Sequence, residues 1–275
     1  MEQLEKLIIK PNQHLHAVGP MVIVIDALDE SGDQPGRRHL LHTISEKMKN
    51  NTLPTHLRFL ITARPETDIL AALATGPQIV HKQMGDILED IVHRDIETFI
   101  RHLLSDQFTE LESFWPDQEW CRLLVHHSQK LFQWASTACN FIQGDGARGL
   151  NLHKWFKLVA NANKSKGLQP LDNLYGTIIA QQFTWDEAKS DFQEVMAALF
   201  ALKEPLSIIS LSALFSDQLS VRDVIKHLGS LLDGVVDEEK PICPLHTSFH
   251  DFLLEEACSS TFHVDIQPRY SLCLR

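Results

Sequence analysis

The chain has 275 residues, 44% of them apolar and 22% charged, with a formal net charge of −11. That is enough apolar material for one large core or two to three small ones, and it excludes a disordered chain. The acidic balance argues against a nucleic-acid or anionic-membrane surface, which needs a basic patch.

Residues 2–10 set Leu4, Leu7, Ile8 and Ile9 among charges, a spacing that predicts a short amphipathic helix. This N-terminus has neither the apolar region nor the cleavage site of a signal peptide. No apolar run reaches the ~18 residues of a membrane span, so a cytoplasmic protein is expected. The five cysteines, Cys121, Cys139, Cys243, Cys258 and Cys273, never pair as CxxC. They read as free thiols of a reducing compartment.

Met21–Ile25 is a continuous apolar run rich in valine and isoleucine, the pattern of a parallel strand covered on both faces. A polar loop follows at 31–36, then helical spacing over 37–48 through Leu40, Leu41, Ile44 and Met48. LRFLIT (57–62) predicts a second buried strand, 66–74 a helix, and QIVHK (78–82) a third strand. Strand, helix, strand, helix, strand is the order of a parallel α/β sheet with crossover helices.

The character changes after residue 86. IVHRDIETFIRHLL (91–104) places Ile91, Ile96, Phe99, Ile100, Leu103 and Leu104 on one helical face. Further helices are predicted at about 117–127, 130–143, 150–159, 171–183 and 187–202, with a loop at 144–149 and a polar linker at 161–170. The last third reads as helices at 207–215 and 221–232, a hairpin over 234–246 and a helix over 247–257, an order that suggests a winged helix.

Three carboxylates, Asp26, Asp29 and Glu30, follow the first strand. Ligands of open parallel sheets bind at the carboxyl ends of strands. An acid there can hold Mg²⁺ against nucleotide phosphates, often through water, and a second acid four residues on can orient a water. The same residues also suit a solvated acidic turn. Arg64, after the second strand, can stabilise a γ-phosphate or simply face solvent.

VIVIDALDE resembles the Walker B segment of NACHT-type NTPases of the fungal NLR-like (STAND) class, and LRFLITARPE resembles that family's sensor strand. DIETFIRHLL, LFQWASTACNFI and LDNLYGTII are similar to segments of its helical domain, and PLSIISLSALF and LHTSFHDFLLEE to its winged helix. The resemblance spans residues 3–265. It implies a partial NACHT α/β domain over 1–85, a helical domain over 86–185, a winged helix over 186–265 and the start of a following segment over 266–275. It also implies a switch of the innate-immunity or heterokaryon-incompatibility kind. There ADP holds a closed form and ATP favours an open, oligomerising one. Asp26 would coordinate Mg²⁺ through water, Asp29 and Glu30 would complete the Walker B acids with Glu30 positioning the attacking water, and Arg64 would sense the γ-phosphate. His246 would contact ADP as a donor to a β-phosphate oxygen, or else be a packed strand-end histidine.

A P-loop reads GxxxxGK[ST], and this chain contains no Gly-Lys dipeptide. The resemblance places that loop upstream of Walker B, which here begins near residue 21. Without it the polyphosphate lacks its main anion site and Mg²⁺ lacks the Ser/Thr ligand. Weak or absent ATP/ADP binding and no useful hydrolysis are therefore expected of the chain alone, together with an unpaired sheet edge and an exposed apolar face.

Rival readings are weaker. Cys243, His246 and His250 give C-x₂-H-x₃-H, a set of plausible zinc ligand types. A metal-dependent hydrolase on Asp26, Asp29 and Glu30 would need acids at other strand ends, and the second strand ends in arginine. DNA binding by the 221–232 helix has only Arg222, Lys226 and His227 to draw on. The main alternative is a non-enzymatic module that docks on intact NACHT relatives as a homo- or hetero-oligomer, with no nucleic-acid or membrane partner.

Overall fold

The β-branched side chains of MVIVI suit a pleated surface, and Met21–Ile25 forms strand β1. Leu57–Ile61 forms β2, parallel to β1, in a register that runs from Met21 opposite Leu57 to Ile25 opposite Ile61. Parallel neighbours need a crossover, and helix α2 (Gln34–Lys49) lies within it. A helical stretch precedes the sheet, Leu4–Ile9 running into α1 (Lys10–Asn12), and α3 (Thr67–Leu73) follows it. The computed structural model describes residues 4–12, 19–31, 34–50, 53–54, 56–73, 78–105, 117–144, 152–162, 169–215 and 219–266. The chain divides into two units, Met1–Asp86 and Ile87–Arg275.

In the first unit Leu28, Leu41 and Ile69 form a small core, and Ile25, Ile61, Leu40 and Leu73 pack on it. Leu28 and Leu41 are fully buried, each contributing about 2 kcal/mol. The burial of both sheet faces that the apolar run suggests does not hold, whereas the exposed apolar face that was also expected is present. Val22, Val24 and Leu60 are 57%, 60% and 54% exposed. With a side-chain period of two, these residues share the face opposite Ile25 and Ile61, where the core lies. The third strand also fails: 78–83 forms no strand and Val80 is 82% exposed. A strand requires a ladder partner, and among the described residues β1 and β2 make the whole parallel sheet.

The second unit is helical. Its helices α4 (Glu89–Ser105), α5 (Gln118–Ser128), α6 (Phe132–Gln143), α7 (Leu152–Asn161), α8 (Pro170–Gln182) and α9 (Asp186–Ala201) follow the predicted spacing. Helix α4 starts with Glu89 and Asp90, which suit the helix dipole, and buries Ile96, Ile100 and Leu104. Ile91, in its first turn, is 38% exposed and does not share that face's burial. Asp117 caps α5 by accepting from the Trp120 N–H at 3.1 Å, and Pro170 opens α8 at a position where no N–H is needed. One continuous core runs from Ile96 to Val264, with Trp134, Phe141, Tyr175 and Phe192 almost fully buried in it.

Short helices α10 (Ile208–Ser212) and α11 (Val221–Ile225) are capped by Ser207 and Ser220. The predicted helix over 221–232 therefore stops at Ile225. Its remainder turns, with Gly229 a poor helix former, and enters strand β3 (Leu232–Asp233). Strand β4 (Cys243–Pro244) pairs with β3 antiparallel, so the expected hairpin spans from just before Gly234 to Pro244. Gly234 has φ +80°, and a Cβ there would collide with the Pro241 carbonyl. The predicted helix over 247–257 is two, α12 (Thr247–Leu254) and α13 (Glu256–Ser259), broken at the extended Glu255. The loop at 145–149, the linker at 163–168 and the segment 267–275 lie outside the described residues.

Candidate functional site

The end of β1 is tied to the end of β2 through one residue, Thr62. Its N–H donates to Ile25 O at 3.0 Å and its carbonyl accepts from Leu28 N at 2.9 Å. Its hydroxyl accepts from Ala27 N at 2.9 Å and donates to Asp26 Oδ1. Ala27 adopts the left-handed conformation, φ 47° and ψ 51°, which costs a non-glycine residue about 1 kcal/mol. The Thr62 bonds hold it there. This kink turns Leu28 into the core and wraps residues 28–30 into a single 3₁₀ turn. Asp26 is exposed at the strand end, and its Oδ2 makes no hydrogen bond among the described residues.

Asp29 faces the other way. Its side chain is only 7% exposed, accepts from Arg64 N at 3.0 Å and lies 3.4 Å from Arg64 Nε. Its backbone carbonyl accepts from Arg37 Nη1 at 2.7 Å. Arg37 is itself buried and reaches three partners. It donates from Nε and Nη2 to the two Asp68 oxygens, at 3.0 and 3.1 Å, and from Nη2 to Glu66 as well. These hydrogen bonds raise the Arg37 pKa and hold the Asp68 carboxyl below its usual range. Asp68 also lies in the first turn of α3. Arg37 thus braces α2, the acidic turn and α3 against one another.

The structure brings Asp26, Asp29, Glu30 and Arg64 to one edge of the two-stranded sheet. Asp26 and Glu30 are exposed there, and the Arg64 side chain is half exposed beside Asp29. His246 belongs to the second unit. It is the N-cap of α12, with Nδ1 accepting from Ser248 N at 3.1 Å and lying 2.6 Å from Ser248 Oγ. Cys243 is in β4 and His250 is inside α12, where it contacts Asp251 and the Phe200 ring.

Thr62 and Arg37 hold the same candidate edge together, although neither was expected there from the sequence. Thr62 had a signal, a hydroxyl at a strand's carboxyl end. Arg37 had none, because nothing local distinguishes it from Arg38.

Mg²⁺ is a hard cation that takes oxygen ligands and keeps several waters. The outward Asp26 oxygen and the exposed Glu30 carboxylate suit a hydrated Mg²⁺. Among the described residues no three His, Cys, Asp or Glu side chains converge to enclose an ion directly. Phosphates need a nest of N–H donors and a lysine, and the Gly-Lys pair of such a loop is not in the sequence. Asp26 and Glu30 thus supply ligand types that suit a hydrated cation.

In the second unit Arg222 pairs with Glu238 and Lys226 with Asp223, which neutralises two of the few cations near α11. No helix among the described residues is long and apolar enough to cross a membrane. A family model described as Nephrocystin 3, N-terminal, matches residues 1–64, the stretch that holds both strands, the three acids and Arg64. No curated protein and no solved structure matches the chain.

Proposed function

We propose that this chain carries the Walker B strand, sensor strand, helical and winged-helix segments of a NACHT-type ATP/ADP switch, and that its phosphate-cradling loop is supplied from outside these 275 residues. The observation that carries this reading is the pairing of β1 and β2 in parallel, with Asp26 and Arg64 following their adjacent carboxyl ends. Residues 1–64, which match a family model, hold the same edge. In this reading Asp26 binds Mg²⁺ through water, Glu30 orients a water, Arg64 meets the γ-phosphate and His246 meets ADP. Asp29 serves as the anchor of Arg64.

Calorimetric titration tests it. The 275-residue chain is expected to show no saturable Mg-ADP binding at micromolar concentration. The same chain joined at its N-terminus to the P-loop strand of a NACHT protein is expected to bind, and Asp26→Ala or His246→Ala to weaken that binding about tenfold, the loss of one charge-assisted contact. No binding by the joined chain would overturn the reading. So would micromolar binding by the unjoined chain that Asp26→Ala abolishes.

The exposed Val22, Val24 and Leu60 favour a second reading, a module that docks on intact NACHT proteins without turnover. Val24→Lys separates the two. It abolishes co-elution with an intact NACHT protein if this face is the docking surface, and leaves co-elution unchanged if it is not.

A further inference from the structure

Three of the sequence segments that carry the family resemblance meet around Tyr175 inside the second unit, and two of them are joined by a chain of hydrogen bonds. Tyr175 comes from LDNLYGTII on α8, Thr137 and Gln133 from LFQWASTACNFI on α6, and His246 and Ser248 from LHTSF at the start of α12. Tyr175 is 1% exposed, wedged between Phe249 and Phe252. A buried phenol needs a partner, and Tyr175 has one: its oxygen lies 2.8 Å from Ser248 Oγ, with the polar pair Gln133 and Thr137 of α6 interacting with the phenol as well.

The direction of every bond after Tyr175 can be deduced. A backbone N–H only donates, so the Ser248 N–H at 3.1 Å makes His246 Nδ1 an acceptor. Nδ1 therefore carries no proton, and the hydrogen of the neutral ring is on Nε2. The Ser248 hydroxyl, 2.6 Å from the same nitrogen, must then be a donor to it. That leaves Ser248 Oγ as the acceptor for the Tyr175 hydroxyl. The order is Tyr175 O–H to Ser248 Oγ, and Ser248 O–H to His246 Nδ1. Donors that point the same way polarise one another, and donation to Nδ1 strengthens Nε2–H as a donor. Among the described residues Nε2 makes no hydrogen bond.

We propose that Tyr175 and Ser248 are positioning residues that lock His246 in the Nε2–H form, as a fixed donor for a phosphate oxygen, and tie that donor to helix α8. The phosphate as target rests on the nucleotide reading above; the relay and the tautomer do not. A shift of α8 against α12 would break the relay and release the tautomer, which gives the helical segment a way to weaken the donor without touching the ligand.

The test is long-range ¹H–¹⁵N correlation on the imidazoles of the ¹⁵N-labelled 275-residue chain at pH 8, with His246 assigned by the signals lost in His246→Asn. The expected pattern for His246 is an unprotonated Nδ1 and a protonated Nε2. Tyr175→Phe keeps the ring contacts to Phe249 and Phe252 but removes the relay's first donor, and is expected to move the Nδ1 resonance toward a mixture of tautomers. Ser248→Ala, a smaller change at a half-buried site, is expected to do the same and serves if Tyr175→Phe does not fold. A wild-type His246 protonated at Nδ1 overturns the proposal, as do unchanged His246 shifts in the variants. The readout uses no nucleotide. A locked tautomer with no Mg-ADP binding by the P-loop-joined chain would refute the nucleotide reading alone.

Discussion

Arg37 grips both carboxylate oxygens of Asp68, at 3.0 Å from Nε and 3.1 Å from Nη2, while its Nη1 holds the Asp29 carbonyl at 2.7 Å. One guanidinium therefore fixes the acidic turn after β1 to the first turn of α3. Its planar fork makes this possible, and a lysine ammonium cannot reproduce it. Arg37→Met is expected to lower the melting temperature of the first unit by about 5 °C or more, and Arg37→Lys to recover only part of it, measured by circular dichroism. An unchanged melting temperature in Arg37→Met would show the brace to be without weight.

The same pair sets an acid limit. The Arg37 hydrogen bonds lower the Asp68 pKa in the folded chain, while the unfolded value is about 3.9. A lowered folded pKa stabilises at pH above the unfolded value, and that contribution is lost as pH falls through the folded one. The first unit is expected to lose stability below about pH 4, and Arg37→Met to flatten this dependence. Urea melts at a series of pH values between neutrality and acid measure both slopes.

Thr62 holds Ala27 in its left-handed turn and one oxygen of Asp26. Thr62→Val keeps the shape and removes both bonds. It is expected to cost about 1–2 kcal/mol by urea denaturation, with Thr62→Ser close to wild type. Equal stability of the valine and serine variants would mean the hydroxyl is replaceable by water.

Gly234 opens the β3–β4 hairpin at φ +80° against the Pro241 carbonyl. Gly234→Ala combines a disfavoured backbone with a steric collision and is expected to destabilise the second unit by roughly 1–3 kcal/mol. Fluorescence of the fully buried Trp134 during denaturation reports it.

The cysteines should separate by reactivity. Burial pushes the Cys139 thiol up to about 12 and raises Cys121 as well, and the thiolate is the reactive form. Among the four described cysteines, a thiol reagent at pH 8 is expected to label the half-buried Cys243 first and to spare Cys121 and Cys139 until the chain unfolds. Native-state labelling of Cys139 would show the second unit opening locally.

Much of the helical part was legible in the chain. Helices α4 to α9 were read from a 3.6-residue apolar period, because each buries one stripe, such as Ile96, Ile100 and Leu104, and the stripe is local in sequence. The strand end at Asp26 and its neighbour at Arg64 were legible for a similar reason, an apolar run that stops at charge. QIVHK misled because a strand is defined by a partner, and an apolar run carries no record of whether one is beside it. An exposed apolar face was expected, but that Val22 and Val24 are the residues on it was hidden in the same way: MVIVI looks alike with one face covered or two.

Sequence by itself determined the helical periodicities, the three acids and the absence of a Gly-Lys pair. Tertiary structure alone decided that Arg37 rather than Arg38 is the buried brace, that Asp29 answers Arg64 while Asp26 faces outward, and that Tyr175, Ser248 and His246 form one relay across 73 residues of chain. Local pattern governs what a segment becomes through its own backbone bonds and burial stripe. Which side chain meets which depends on long-range packing, where neighbours in space are far apart in sequence and a one-position difference changes the face.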